Sequence, residues 1–206
     1  MDTLDAIAAD VCSCRNCPLF QGRTHGVPGE GDPNAEIMFI GEGPGFHEDQ
    51  QGRPFVGAAG QLLVEMLRTI GLRREEVFIT NVVRCRPPGN RDPLPEELAT
   101  CDVYTQRQIS VLHPKLIVTL GRYSTARFFG PGSMRELHGR PRQWNGITCL
   151  AMYHPAAILR TPTPEMHRMY AEDFRKIPGL VAEARQRIAP PPVLEEASRL
   201  DQLPLF

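Results

Sequence analysis

The chain has little lysine and almost no net charge: Lys115 and Lys176 are the lysines among 23 basic residues, and the formal net charge at pH 7 is -1. This balance excludes nucleic-acid binding through bulk positive charge, so any such binding must use a local basic face. The dominance of arginine suits bidentate phosphate binding and equally suits a biased genome composition. No run of about 18 apolar residues occurs, which argues against a spanning helix. The N-terminal MDTLDAIAADVCSC lacks a basic region followed by an apolar stretch, so no secretory signal is expected and the cytoplasm is the expected compartment. The stretch GEGPG is not GxGxxG and no P-loop lysine follows it, which weighs against a Rossmann-type or P-loop nucleotide site. Trp144 is the single tryptophan and reads as a packing residue.

What is present is enough for one domain. At 206 residues and 41% hydrophobic content the chain can bury one sizeable core. Its organising stretch is Gly41 to Gly60, GEGPGFHEDQQGRPFVGAAG. The apolar run Ile37–Ile40 before it reads as a buried strand, and Gln61–Ile70 after it carries leucines and a methionine at helical spacing. Between them Glu42, Glu48 and Asp49 supply carboxylates, Phe55 an aromatic face, and the glycines close approach of backbone N–H groups to a ligand. A second strand is expected over 76–83, with Asn81 near the C-terminal end, where open parallel sheets bind ligands. Asn81 there either reads a substrate or closes a turn.

The six cysteines fall at Cys12, Cys14 and Cys17, then Cys85 and Cys101, then Cys149. In a cytosolic chain such clustering suggests metal rather than disulfides. Residues 84–93 must be a loop, because three prolines and a glycine interrupt them, and a helix pattern begins at Leu94 with Glu96 and Glu97 in its first turn. Cys85 and Cys101 therefore bracket a loop and a helix start. With the Cys14–Cys17 pair they suit either structural zinc or a four-iron four-sulfur cluster, and spacing does not choose between them. Cys12 and Cys149 read as free thiols.

A third strand is expected over 116–121 with a helix at 124–129, and a fourth over 147–152. Between them 134–145 carries Arg135, His138, Arg140 and Arg142, a basic loop or hairpin that either meets phosphates or is solvated. His154 directly follows the fourth strand and precedes Pro155, which suits acid or hydrogen-bond chemistry toward a ligand or a plain loop cap. His25, His47, His113, His138 and His167 have weaker contexts. Residues 164–188 form a long amphipathic helix, and from Ala189 the composition turns to a proline-rich, acidic tether ending in Gln202-Leu203-Pro204-Leu205-Phe206. The division expected is a domain over 1–188 and a tail over 189–206.

Four elements together resemble the family 4 uracil-DNA glycosylases: GEGPG with GRPFVG after it, TNVVRCRPPGNR, the cysteines Cys14, Cys17, Cys85 and Cys101, and HPAAILR. The resemblance runs to about residue 180 and implies an α/β/α sandwich around a four-stranded parallel sheet, a structural four-iron four-sulfur cluster, and removal of uracil from DNA. It implies iron over zinc. By the same resemblance Glu42 and His154 are catalytic, with Glu48 a second acidic residue assisting in the pocket. Gly41, Gly43, Phe55, Asn81 and His154 bind uracil, Phe55 by stacking and Asn81 by reading the base. Apart from the resemblance, Arg160 is expected to grip the flanking phosphates of DNA, and the crowding of arginines around Cys85 leads to the expectation that the cluster fixes Arg84, Arg86 and Arg91 against DNA. Family 5 enzymes share the cluster and usually lack the first-motif acid, so Glu42 favours family 4. The terminal QLPLF resembles sliding-clamp-binding peptides, and a monomer without membrane contact is expected. The rival class is a non-enzymatic iron–sulfur or zinc module that binds nucleic acid or senses redox state.

Overall fold

The computed structural model describes residues 2–187. In chain order the elements are α1 (Leu4–Ser13), β1 (Glu30–Gly31), β2 (Ile37–Gly41), α2 (Phe46–Gln51), α3 (Ala58–Thr69), β3 (Phe78–Asn81), α4 (Pro95–Leu112), β4 (Leu116–Leu120), α5 (Arg122–Phe129), α6 (Met134–Leu137), β5 (Pro141–Trp144), β6 (Ile147–Met152), α7 (Pro155–Arg160) and α8 (Pro164–Gln186). Several helix N-termini carry a recognisable local device. Thr3 caps α1 through its hydroxyl, Thr163 caps α8, and proline opens α4, α7 and α8, where the missing N–H is harmless.

The six strands lie in the order β1-β3-β2-β4-β6-β5. β3, β2, β4 and β6 run parallel and form the expected four-stranded core, and β1 and β5 add antiparallel edges. The β1 edge went unforeseen, and β5 realises the hairpin that was one of the two readings of 134–145. β1 is two residues long, too short for any periodicity. β5 lies in the basic stretch and forms a hairpin with β6 through Asn145-Gly146, both at positive φ, as a two-residue turn requires.

Because successive strand residues face opposite ways, β2 feeds two cores. Ile37 and Phe39 pack with Leu63, Leu67, Tyr170, Phe174 and Ile177 on the face covered by α3, α7 and α8. Met38 and Ile40 pack with Ile109, Leu112, Phe128 and Phe129 beneath α4 and α5. The result is the three-layer arrangement that the family resemblance implied. A third, smaller core joins α1 to α4 through Ile7, Val11, Leu19, Val83 and Tyr104. Among the described residues no helix is long and apolar enough to cross a membrane. The tail over 189–206, with Gln202–Phe206, lies outside the described residues.

Candidate active site

The four parallel strands deliver the chemistry at one edge. Glu42 directly follows β2, Asn81 ends β3, Gly121 follows β4, and His154 lies two residues beyond β6. All four line a cleft of about 640 Å³ at the C-terminal edge of the sheet. β3 and β4 lie on opposite sides of β2, so the cleft opens where the strand order reverses, the usual ligand position in such sheets.

Glu42 is packed against the start of α5. The Tyr123 backbone N–H donates to its Oε1 at 3.2 Å, so the carboxylate meets the positive end of the helix. Gly121 makes that approach possible: a Cβ there would come within 2.5 Å of Glu42 Oε1, and its φ of 99° is one that L side chains rarely adopt. Burial nevertheless dominates and pushes the Glu42 carboxyl above the usual range, against the backbone donors and the Arg122 charge.

Phe55 sits in a backbone conformation with φ 51°, and its surroundings account for this. Glu48, in the first turn of α2, accepts from the Gly45 N–H at 3.1 Å through Oε2, and from the Val56 and Gly57 N–H groups at 2.9 and 2.8 Å through Oε1. Arg74 holds the other side, donating to the Phe55 carbonyl at 2.9 Å and to the Pro54 carbonyl, and is itself paired with Glu30. The Phe55 ring is thereby fixed beside His154, centroids 5.6 Å apart and planes 28° from parallel. Glu48, expected among the catalytic groups, has both oxygens committed to backbone donors. Asp49, the third carboxylate, is buried and accepts from the Thr24 N–H at 2.8 Å, which makes it a tie to the preceding loop.

Asn81 is 1% exposed and its Oδ1 has no hydrogen-bond partner. An acceptor in that condition is costly unless a ligand meets it. Gly41 stands directly against it, since a Cβ there would come within 2.5 Å of both Asn81 Oδ1 and the Phe55 ring. Gly43 faces Val83 in the same cleft wall. His154 combines the two readings the sequence allowed. Its Nδ1 accepts from the Ala156 N–H at 3.2 Å and caps α7, which leaves the ring proton on Nε2. Burial, helped by the Arg160 charge, lowers its pKa to about 4, so the ring is neutral in ordinary buffers.

The arginines divide. Arg160 is exposed at the end of α7, and Arg91 is exposed on the rim, forked onto the buried Glu97 at 2.6 and 2.9 Å. Arg86 donates to Asn90 Oδ1 at 2.7 Å and lies over the exposed Phe46 ring. Arg84 corrects an expectation: it is 1% exposed and bonded inward to Gln108 and Thr105, so it cannot reach DNA. Arg122 also lines the cleft, in an ion pair with Asp92, and was missed. Its signal was a glycine between a buried strand and a helix, the same pattern that marked Gly41.

The cysteines gather in the third core. Cys85 and Cys101 are buried, and Cys14 and Cys17 pack against the same residues half-buried. Burial pushes the Cys101 thiol up to about 11 and raises those of Cys17 and Cys85. Arg23 Nη1 donates to Cys85 Sγ at 3.0 Å. Among the described residues no three His, Cys, Asp or Glu converge on a single-ion site. Cys12 is exposed and Cys149 belongs to the core under α4 and α5, apart from the other four.

Residues 28–176 match the family model described as the uracil DNA glycosylase superfamily. A type-4 uracil-DNA glycosylase of Sulfurisphaera tokodaii is 50% identical, over 86% of this chain and 84% of that protein. Those of Saccharolobus solfataricus and Archaeoglobus fulgidus are 47% and 45% identical, over 86% of this chain in each case and 86% and 92% of theirs. A matched stretch holding every parallel strand and all four strand-end positions of the cleft shows that the chain belongs to the uracil DNA glycosylase superfamily, within its type-4 group.

Proposed function

We propose that the protein hydrolyses the N-glycosidic bond of uracil in DNA, leaving an abasic site for base excision repair. The observation that carries this reading is the orphaned Oδ1 of Asn81, a buried acceptor without a partner that meets Phe55 at Gly41 in the wall of the cleft. Uracil inside a duplex is inaccessible, so it must be flipped out, at a cost of a few kcal/mol. Phe55 stacks on the flipped base. The Asn81 amide accepts from uracil N3–H and donates to O4, and cytosine presents the reverse pattern. Thymine is rejected sterically at its C5 methyl, by the wall that Glu48 braces and Gly43 forms.

Bond cleavage leaves negative charge on the departing uracil and positive charge on the sugar. The Nε2–H of neutral His154 and the backbone N–H groups of Gly41 and Gly43 donate to the charge growing on the base. Glu42, ionised and seated by α5, orients or activates the attacking water and stabilises the sugar cation. Glu48 acts by positioning, since its carboxylate fixes the Phe55 loop. Arg160, Arg91 and Arg86 hold DNA at the rim, mainly through phosphates.

Cys14, Cys17, Cys85 and Cys101 would hold a four-iron four-sulfur cluster, whose contribution is to cross-link α1, the β3–α4 loop and α4. Four thiols gathered in one core from separate segments of the chain suit the ligand set of such a group. The terminal Gln202–Phe206, outside the described residues, is proposed to dock a sliding clamp. Deleting 202–206 is expected to abolish clamp binding and leave oligonucleotide activity intact, and undiminished clamp binding removes the proposal.

The deciding experiment is alkali-induced scission of a labelled oligonucleotide carrying one uracil, in EDTA, beside thymine and cytosine controls. Scission at uracil alone is expected. A folded, iron-loaded protein that releases no base would overturn the reading in favour of a binding module.

A further inference from the structure

Arg84 directly precedes Cys85 and is the largest side chain closed off from solvent among the described residues. A guanidinium carries five N–H donors and keeps its charge. Here Nη2 is satisfied by Gln108 Oε1 at 2.8 Å and Thr105 Oγ1 at 3.2 Å, whereas Nε and Nη1 have no partner. Asp102, a carboxylate in its field, is committed to Arg127 at 2.5 Å. A buried cation with idle donors is strongly unfavourable unless an anion meets it. Cys85 is the next residue and Cys101 lies one turn before Thr105 on α4, so the guanidinium is anchored beside two buried thiols that become anionic when they bind metal.

A second guanidinium bonds one of these sulfurs directly. Arg23 Nη1 donates to Cys85 Sγ at 3.0 Å, and the side chain is held by the carbonyls of Val11 at 3.2 Å and Cys12 at 2.6 Å. Gly26 packs against both, since a Cβ there would come within 2.8 Å of the Val11 carbonyl and 3.2 Å of Arg23 Nη1. The loop is therefore shaped to hold Arg23 at this angle.

We infer that Arg84 and Arg23 form a two-guanidinium cradle that hydrogen-bonds the cysteine sulfurs of the bound iron–sulfur group and balances its negative charge. The inference rests on the reading of the four cysteines as cluster ligands. Four thiolates around a four-iron four-sulfur core leave a net anion, and hydrogen bonds to the sulfurs are among the levers that set its stability and potential. The cradle lowers the cost of holding that anion in an apolar core. It also eases addition of one further electron, so its loss makes the potential more negative.

The test compares anaerobically purified full-length protein with Arg84→Met, Arg84→Lys and Arg23→Gln. Iron and sulfide content, iron release to a chelator and the one-electron midpoint potential are read, the electrode supplying the electron. Arg84→Met is expected to release iron at least about tenfold faster than wild type and to shift the potential negative. Arg84→Lys, which keeps charge but loses the fork, is expected to fall between them, and Arg23→Gln to shift in the same direction. If Arg84→Met does not accumulate as folded protein, the half-buried Arg23 carries the test. Iron-loaded variants with wild-type release and potential would overturn the cradle and leave the cluster reading standing. A wild-type protein that binds no iron or sulfide would sink both.

Discussion

Replacing Glu48 separates a residue that touches substrate from one that holds the residue that does. Its carboxylate accepts three backbone N–H bonds, from Gly45, Val56 and Gly57. Two of those donors immediately follow Phe55, whose φ of 51° must be held by its surroundings. Glu48→Ala removes both acceptor oxygens, and with them all three bonds, from a half-buried position, and at about 1 kcal/mol per bond the cost is about 3 kcal/mol. For a domain of this size that lowers the melting temperature by roughly 6–12 °C. Glu48→Gln keeps one oxygen for Val56 and Gly57 but turns a donor toward the Gly45 N–H, so it should cost about 1–2 kcal/mol. With the loop loosened, the stacking face supplied by Phe55 is lost in part. That interaction is worth about 1–3 kcal/mol per base, so kcat/KM should fall by roughly ten- to a hundredfold in the Ala variant. The assay pairs thermal melts with single-turnover excision from a uracil oligonucleotide. A Gln variant that melts like wild type yet loses excision would refute the argument, because Glu48 would then act on the substrate directly.

The pH profile should be set by Glu42. Its active form is ionised, that of His154 is neutral, and both are the high-pH forms. Burial raises the Glu42 pKa while His154 is already neutral above about 4. The acid limb of kcat/KM should therefore lie above the ordinary carboxylate range and vanish in Glu42→Gln; a limb that persists in that variant assigns the titration elsewhere. Asn81→Asp replaces the amide donor by a second acceptor facing uracil O4. Excision should fall by about 3 kcal/mol, on the order of a hundredfold, and uracil turnover within severalfold of wild type would remove Asn81 from base reading.

The parallel core was legible because each buried strand is a continuous apolar run, and the strand-end positions followed from the rule that such sheets bind ligands at their carboxyl edge. Asn81 and His154 were found that way. The inward turn of Arg84 was not, because arginine beside a cysteine reads as surface charge until Thr105 and Gln108, a turn apart on α4, are seen to receive it. The Arg74–Glu30 brace behind Phe55 joins residues 44 apart in sequence and left no local pattern. His154 illustrates a different limit. Capping and ligand binding were posed as alternatives, yet one ring nitrogen caps α7 and the other remains free.

The pairing of α1 with α4 also bears on synthesis. Cys14 and Cys17 leave the ribosome long before Cys101, and at about 5–20 residues per second the wait is roughly 4–17 s. During that interval Ile7 and Val11 have only part of their partner surface, Leu19 and then Val83, since the core that buries them is completed by Tyr104 and its neighbours. The N-terminal thiols are thus the first made and among the last enclosed, so the nascent chain, more than the finished protein, is the form exposed to oxidants and to mismatched metal ions.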